Sequence, residues 1–229
     1  MEERLIPLFT EAGVNLLKTK TVLVFGCGGV GSFAIEALAR SGIGRLIIVD
    51  KDRVEKSNLN RQLIALHSTL NQSKVAVMKA RVLDINPHCD VITYPMFYNF
   101  ETKDVIWTHA VDFVFDAIDT VTFKLDIIKE CLNRDIPFIT SCGQGKRMVP
   151  EKVRIINLAD TTYDPVAKAM RLHLRKRGIY KRVPCVFSEE VPVKTAHDTV
   201  VSSSPFVPPM AGLVAASYIV RKILEEVKQ

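Results

Sequence analysis

The chain has 229 residues, of which 48% are hydrophobic and 24% are charged, and its formal net charge is +6 at pH 7. This length suits one large α/β domain, or one domain with an appended lobe, and can bury a full core. The five cysteines form no C-x-x-C pair, which argues against a zinc ribbon or a disulfide framework and favours a cytoplasmic protein. Two acids precede any apolar stretch at the N-terminus, and the longest apolar segment, 206–220, is short and broken by prolines, so neither a secretory signal nor a membrane span is expected.

Strand and helix signals alternate from residue 21 to about residue 140. This alternation is typical of a Rossmann-like α/β fold, a doubly wound, mostly parallel sheet with helices on both faces. Strands are predicted at residues 21–25, 45–49, 91–94, 113–116 and 137–140. Helices are predicted between them at residues 32–41, 73–86, 102–107 and 123–133.

The pattern changes after Cys142. A strand is predicted at 152–158, a strongly basic helix at 164–177, and a final helix at 209–227 whose small residues suit close packing in a core or a dimer. The sequence therefore predicts a Rossmann-like ligand-binding region of residues 1–142, followed within the same continuous domain by a smaller C-terminal lobe of residues 143–229 for substrate binding and dimerisation.

The run GCGGVGS lies between the first predicted strand and the first predicted helix. In such a loop the first glycine (Gly26) permits a tight turn, the second (Gly28) lets a phosphate approach the backbone, and the third (Gly31) lets helix and strand pack closely. Asp50 ends the second strand, where a ribose-binding acid is expected. The glycines predict a nucleotide site, but they do not separate NAD from ATP.

Charged residues beyond Asp50 favour ATP. Arg61 in SNLNRQ and Lys74 at the start of a helix could both reach phosphates, and displacement at a phosphate needs cations that a dehydrogenase does not. Asp116 and Asp119 lie at and just beyond the end of the fourth strand, where carboxylates can hold Mg²⁺. Asp119 is the better metal candidate because it lies in the loop, whereas Asp116 is equally well explained as a structural acid.

Together, GCGGVGS, DKDRVEKSNLNRQ, the lysine of QSKV and DAID resemble the ubiquitin-activating-enzyme-like superfamily, whose members adenylate a carboxylate with Mg-ATP. The resemblance runs from about residue 4 to the C-terminus and implies catalytic roles for Arg61, Lys74 and Asp119, with Asp119 on Mg²⁺. The implied nucleotide-binding residues are Gly26, Gly28, Gly29, Gly31, Asp50, Asp52, Asn58, Arg61, Lys74 and Asp119. It also implies a homodimer in which Arg4 completes the partner's site, although ERLIPLF departs from the usual two-Arg pattern.

Further motifs, among them ALARSGIGRLIIVD, DAIDTVTFK, IPFITSCGQG, CVFSEE and FVPPMAGL, resemble the branch of tRNA threonylcarbamoyladenosine dehydratases. These enzymes cyclise N6-threonylcarbamoyladenosine at position 37 of tRNA, next to the anticodon: the threonine carboxylate attacks the α-phosphate of ATP, and the ureido group then closes the ring and expels AMP. The resemblance implies ATP, Mg²⁺ and tRNA as ligands, with a sulfur-relay protein as a further partner. Because the substrate supplies the second nucleophile, no enzyme thiol is required, and Cys185 is expected to be a small buried hydrophobe.

A basic segment between Pro165 and Pro184 points independently to RNA. It contains no acid and the following cations: Lys168, Arg171, Arg175, Lys176, Arg177, Lys181 and Arg182. Helical spacing places Lys168, Arg171 and Arg175 on one face. Contact with tRNA phosphates is predicted, and a solvated charged face is the alternative.

Three other functions stay open from the sequence. An activator of a ubiquitin-like or sulfur-carrier protein would use a protein C-terminal carboxylate, but this chain lacks the two C-x-x-C zinc pairs and the large extra domains of such activators. An inactive nucleotide-binding scaffold subunit would tend to lose the Arg61, Lys74 and Asp119 set, which is present here. A dehydrogenase is the least favoured reading.

Overall fold

A computed structural model describes residues 2–194 and 201–227. Seven strands form one sheet in the order β3-β2-β1-β4-β5-β7-β6. The strands are β1 (Thr21–Phe25), β2 (Arg45–Val49), β3 (Asp90–Tyr94), β4 (Phe113–Asp116), β5 (Phe138–Ser141), β6 (Val153–Asn157) and β7 (Pro184–Ser188). The helices are α1 (Glu2–Phe9), α2 (Glu11–Thr19), α3 (Gly31–Arg40), α4 (Lys74–Ile85), α5 (Lys103–Ile106), α6 (Val121–Arg134), α7 (Pro165–Lys176) and α8 (Val207–Leu224).

The sheet is mostly parallel, as predicted. Within the described residues, β1 pairs in parallel with both β2 and β4, and only the pairing of β6 with β7 is antiparallel. β2 and β3 lie on one side of β1, and the strands from β4 onward lie on its other side, so the strand order reverses between β1 and β4. Ligands of open α/β sheets bind where this reversal opens a crevice at the carboxyl ends of the strands.

Helices cover both faces of the sheet, and the central strands are accordingly buried along their whole length. Every residue of β1 and of β4 is buried, as expected for parallel strands packed on both sides. One core contains Leu17, Ile35 and Ile219 from α2, α3 and α8. The other core, across the sheet, contains Ile127 from α6 and Met170 from α7.

The last helix, α8, packs against α3 from the other end of the chain. A Cβ added at Gly212 would lie 2.2 Å from the carbonyl oxygen of Val30, so only glycine allows this backbone contact. The segment Val207–Val227 is long and apolar enough to cross a membrane by length and composition alone, but 56% of its 18-residue apolar window is buried inside the fold. It serves here as a core helix.

The predicted elements appear within a few residues of their expected bounds, and three elements were not predicted. These are α1 and α2 before the first strand, and β7, a five-residue strand bounded by Pro184. The residues after 142 do not form a separate layer, because β6 and β7 extend the same sheet and α8 returns to α3.

Candidate active site

A cleft of about 290 Å³ opens at the carboxyl edge of the sheet. Its walls come from the loops that follow β1, β2, β3 and β4, which is where the strand order reverses. The polar residues that line it are Asp50, Lys51, Asp52, Asn58, Arg61, Gln62, Lys74, Asp119 and Thr120, together with Gly26 and Gly28. Most of the predicted nucleotide-binding residues therefore meet at one place.

The glycine loop has the geometry that its spacing predicts. Gly26 has a φ of +93°, and a Cβ at Gly31 would lie 1.9 Å from the Gly26 carbonyl oxygen. The loop leads into the N-terminus of α3, whose free N–H groups and dipole favour an anion. Gly29 and Gly31 do not line the cleft: Gly29 packs against Arg61 and Pro208, and Gly31 packs against Gly26.

Asp50 connects two loops of the cleft. One carboxylate oxygen accepts the N–H of Cys27 at 2.7 Å, and the other accepts the N–H of Asp52 at 2.8 Å. The Asp50 carboxylate is thus fixed between the glycine loop and the loop after β2. A ribose hydroxyl donating to it would use its remaining lone pairs.

Three cations line the cleft, Lys51, Arg61 and Lys74, and the last two were predicted. Lys74 is 5% exposed, and its Nζ lies 3.0 Å from a carboxylate oxygen of Asp52. Burial raises the pKa of the Asp52 carboxyl, but the hydrogen bond and charge of Lys74 outweigh it and bring the pKa below its ordinary value. Arg61 Nη1 donates to the Ser57 carbonyl at 2.8 Å and to Asn60 Oδ1 at 2.9 Å, which holds the guanidinium at the cleft.

The loop SNLNRQ contributes to the cleft a residue, Gln62, that was not among the predicted site residues. Gln62 is 7% exposed and lines the cleft near Gly28, and its Oε1 is buried without a partner among the described residues. The amide nitrogen Nε2 lies on the Gly28 side, so it is the group of Gln62 that can donate to a molecule in the cleft. Asn58 also lines the cleft, but its Oδ1 accepts the Glu55 N–H at 3.1 Å and so shapes the loop.

The two acids at and just beyond the end of β4 have different environments. Asp116 is fully buried, lies 2.9 Å from Lys124 Nζ and accepts from Thr140 Oγ1 at 2.5 Å. Asp116 is therefore a structural acid. Asp119 is exposed at the cleft, and within 2–194 and 201–227 no cation forms an ion pair with it.

An apolar wall closes the side of the cleft next to β3, and it was not predicted. It contains Met96, Phe97 and Tyr98 after β3 and Ile118 after β4. Tyr98 is held by a hydrogen bond to Asp126 at 2.8 Å and by one from Trp107 at 3.0 Å. An apolar wall of this kind near Asp50 suits the face of an aromatic base. The loop composition MFYNF was the only sequence signal for it.

Arg4 does not lie at the cleft of its own chain. It is exposed on α1, whose Glu2 forms an ion pair with Lys18 at 2.8 Å. Residues of α1 share a cavity with Gly44, just before β2, and His88, just before β3. Arg4 therefore lies at the amino edge of the sheet, opposite the cleft, and does not contribute to the cleft of its own chain.

The remaining candidates lie away from the cleft. Cys185 is fully buried within the core of α6 and α7, as predicted. Six of the seven predicted RNA-binding cations are exposed, whereas Arg171 is half-buried and donates to Thr161 Oγ1. No group of three or more His, Cys, Asp or Glu side chains that could hold a metal occurs in the described ranges.

Comparisons with known proteins give consistent matches over nearly the whole chain. The family model described as the ThiF family matches residues 2–228. A Bacillus subtilis tRNA threonylcarbamoyladenosine dehydratase is 45% identical over 95% of this chain and 92% of its own length. The Escherichia coli protein of the same name is 36% identical over 83% of this chain and 74% of its own. A crystal structure of the E. coli enzyme in complex with ATP superimposes with a TM-score of 0.93 at 33% identity, covering 99% of this chain and 94% of that one.

Proposed function

From its membership of the ThiF family we propose that this chain is an ATP-dependent dehydratase that cyclises N6-threonylcarbamoyladenosine at position 37 of tRNA. The observation that carries the proposal is the 45% identity, over nearly the full length of both chains, to a protein named for this reaction. The cleft supports it independently, because it combines a glycine loop at a helix N-terminus with three cations and an unpaired carboxylate. We expect the reaction to take place in the cytoplasm.

In the proposed reaction, ATP lies along the cleft. The glycine loop and the N-terminus of α3 hold its phosphates, Asp50 accepts from its ribose, and the wall of Met96 and Phe97 packs against its base. The threonine carboxylate attacks the α-phosphorus and pyrophosphate leaves. Lys74 and Arg61 neutralise the negative charge that develops on the phosphate oxygens.

The second step uses the substrate's own nucleophile. The ureido group attacks the activated carbonyl carbon, loses a proton, and expels AMP as the ring closes. The net change is the loss of one water from the nucleoside and the conversion of ATP to AMP and pyrophosphate. The enzyme's contribution is to hold the two reacting groups together and exclude competing water.

We assign Mg²⁺ to Asp119. The donor set fits, because Mg²⁺ takes one or two protein carboxylates and obtains its other ligands from phosphates and water. When bound, the ion supplies positive charge to the phosphate oxygens. Asp119 keeps its carboxylate exposed at the cleft for this purpose, whereas Asp116 is already neutralised by Lys124.

The direct test is an assay with ATP, Mg²⁺ and tRNA that carries the modified nucleoside. After digestion to nucleosides, mass spectrometry should find the nucleoside lighter by one water, with one AMP released per turnover. If AMP forms only when a small carrier protein with a C-terminal glycine is added, the chain is instead an activator of such proteins. A sulfur-relay partner stays a prediction.

Replacing Cys185 by alanine should leave the dehydration rate within about twofold of the wild-type rate, because a buried thiol acts as a small hydrophobe. Single-turnover formation of the cyclic nucleoside measures this. Cys89, whose pKa burial raises to about 11, provides a matched thiol control in Cys89→Ala. Loss of ring closure in the Cys185 variant alone would mean that the thiol takes part in the chemistry.

We propose that the exposed cations of α7 and the following loop contact tRNA phosphates. Arg175→Glu with Lys176→Glu should raise the KM for tRNA about tenfold or more and leave the Kd for ATP unchanged, because phosphate contacts dominate RNA affinity. The matched control is Lys79→Glu with Lys129→Glu, which changes the same charge on exposed positions of α4 and α6. If the α7 variant and the control variant have the same KM for tRNA, Arg175 and Lys176 do not contact the RNA.

We also propose a homodimer in which Arg4 completes the partner's cleft. An apolar groove of about 690 Å³ between α1 and α8, lined by Leu8, Leu213 and Leu224, supports an interface on this side of the chain. The position of Arg4 at the amino edge of its own sheet supports a role in another chain's site.

Mixing two inactive variants tests that arrangement. Arg4→Ala and Lys74→Ala should each be inactive alone, because each lacks one part of every site. After subunit exchange, about a quarter of the sites in a symmetric dimer population contain both groups, so about a quarter of wild-type activity should return. No recovery, with exchange verified by mass spectrometry, would show that Arg4 does not act across the dimer.

A further inference from the structure

A buried hydrogen-bond chain lies behind the apolar wall of the cleft. Tyr98 is 3% exposed, and its hydroxyl accepts from Trp107 Nε1 at 3.0 Å and donates to Asp126 Oδ2 at 2.8 Å. Trp107 and Asp126 are buried as well. The three side chains belong to the loop after β3, the end of α5 and α6. One phenol therefore joins a wall of the cleft to two helices.

The wall segment after β3 is held by side chains and not by its main chain. Within the described ranges, residues 95–98 make no backbone-to-backbone hydrogen bond. The Phe97 carbonyl accepts from Thr102 Oγ1 at 2.6 Å, but Thr102 is only five residues further along, so this bond closes a local turn. The Tyr98 hydroxyl is therefore the polar group that attaches this segment to the rest of the described fold.

The chemistry of the three groups fixes the direction of both hydrogen bonds. The indole N–H of Trp107 is a donor only, so the Tyr98 oxygen accepts from it. Burial raises the pKa of Tyr98 above its ordinary value, and the hydrogen bond to Asp126 adds to the rise against the opposing effect of Trp107, so the phenol keeps its proton and donates it to Asp126. The other oxygen of Asp126 lies 3.6 Å from Lys103 Nζ, which supplies a counter-charge for the buried carboxylate.

Aromatic packing connects the Tyr98 ring to the strand that leads into the glycine loop. The rings of Tyr98 and Phe25 meet edge to face, with centroids 4.8 Å apart and an interplanar angle of 65°. Phe25 ends β1 immediately before Gly26, and both Phe25 and Tyr98 line the cleft. Because edge-to-face pairs have a preferred geometry, the orientation of the Tyr98 ring also sets how the wall packs beside this strand.

We propose that Asp126 is a positioning residue for nucleotide binding: through the Tyr98 hydroxyl it fixes the wall against which the base of ATP packs. The inference rests on the proposed function, which places that base against Met96 and Phe97. Asp126 does not line the cleft, so its effect reaches the nucleotide through Tyr98. A wall that is ordered in advance binds the base without a further loss of conformational freedom. The base end of ATP should therefore depend on Asp126, and the phosphate end should not.

The experiment measures by calorimetry the Kd of each variant for ATP and for inorganic tripolyphosphate, which has the phosphates but no base. Tyr98→Phe and Asp126→Leu each break the chain, so both should raise the Kd for ATP about tenfold and leave the Kd for tripolyphosphate unchanged. Asp126→Asn keeps an oxygen that can accept from the phenol, so its Kd for ATP should stay within about twofold of the wild-type value. The matched control is Tyr94→Phe, which removes a hydroxyl that bonds to His109 and lies outside the cleft.

The proposal is wrong if Tyr98→Phe and Asp126→Leu weaken both ligands equally, if Tyr94→Phe has the same effect as Tyr98→Phe, or if Asp126→Asn binds ATP no better than Asp126→Leu. The urea midpoint of each variant verifies that it is folded. These measurements use no tRNA, so the proposed function fails separately. A wild-type protein that shows the expected binding pattern but forms no cyclic nucleoside would refute the reaction and keep the role of Asp126. If the wild type forms the cyclic nucleoside and the variants bind ATP normally, only the role of Asp126 is wrong.

Discussion

Replacing Lys74 by alanine is expected to lower kcat for AMP and pyrophosphate formation by about 10²- to 10³-fold, the loss typical of removing one preorganised charge from a developing oxyanion. Lys74 is buried at the cleft and held by Asp52 at 3.0 Å, so its ammonium is already in place before a phosphate arrives. Pyrophosphate release under saturating ATP and tRNA measures the effect.

Lys79→Ala is the matched control, because Lys79 is exposed on the same helix, α4, and lies outside the cleft. We expect this control to keep wild-type kcat. Lys74→Arg should recover part of the activity, because it restores the positive charge. The recovery should be incomplete, because the guanidinium is bulkier than the ammonium and the position is buried. A Lys74→Ala enzyme with raised KM for ATP but wild-type kcat would mean that Lys74 binds the ground state and the transition state equally.

Replacing Lys124 by methionine is expected to lower the free energy of unfolding by about 3–5 kcal/mol, because it leaves a buried carboxylate without its counter-charge. Lys124 Nζ lies 2.9 Å from Asp116 and donates to the Ile118 carbonyl at 2.9 Å, and both charged side chains are completely buried. Urea unfolding followed by circular dichroism measures the loss.

The double variant Asp116→Asn with Lys124→Met separates charge burial from packing. It removes both charges and keeps similar volumes, so it should recover most of the lost stability. If the double variant is as unstable as Lys124→Met alone, the loss comes from packing and from the bond to Ile118. Because Ile118 lies next to Asp119, both variants should also raise the Mg²⁺ concentration needed for activity.

The sequence predicted the fold class and much of the cleft because both depend on local patterns. Gly26 and Gly31 occupy positions where any side chain would meet backbone, so their spacing carries geometric information. Parallel strands end at one edge of a sheet, which brings Asp50 and Asp119 together without any knowledge of their contacts. Which of Asp116 and Asp119 is free to bind a metal depends on Lys124. Lys124 is close to both acids in sequence, but it forms an ion pair only with Asp116, and spacing alone does not show this.

Other features depend on contacts that spacing does not encode. Gln62 stands out because its Oε1 is buried without a hydrogen-bond donor, and this depends on how the loop packs in three dimensions. β7 is only five residues long, and it belongs to the sheet because it pairs with β5 on one side and β6 on the other; these contacts are not visible in its sequence. The basic residues of α7 were predicted from composition, but their distance from the cleft follows from the direction in which the helix runs.

The contact of Gly212 with Val30 and that of Pro208 with Gly29 have a consequence for biosynthesis. The nucleotide loop is made early, yet its supporting helix, α8, begins only at Val207. Since long-range contacts form late and incomplete domains expose apolar surface, the nascent chain should bind nucleotide only after α8 has emerged from the ribosome. Ribosome-bound chains stalled before α8 should therefore resist labelling by a photoreactive ATP analogue, while released chains are labelled.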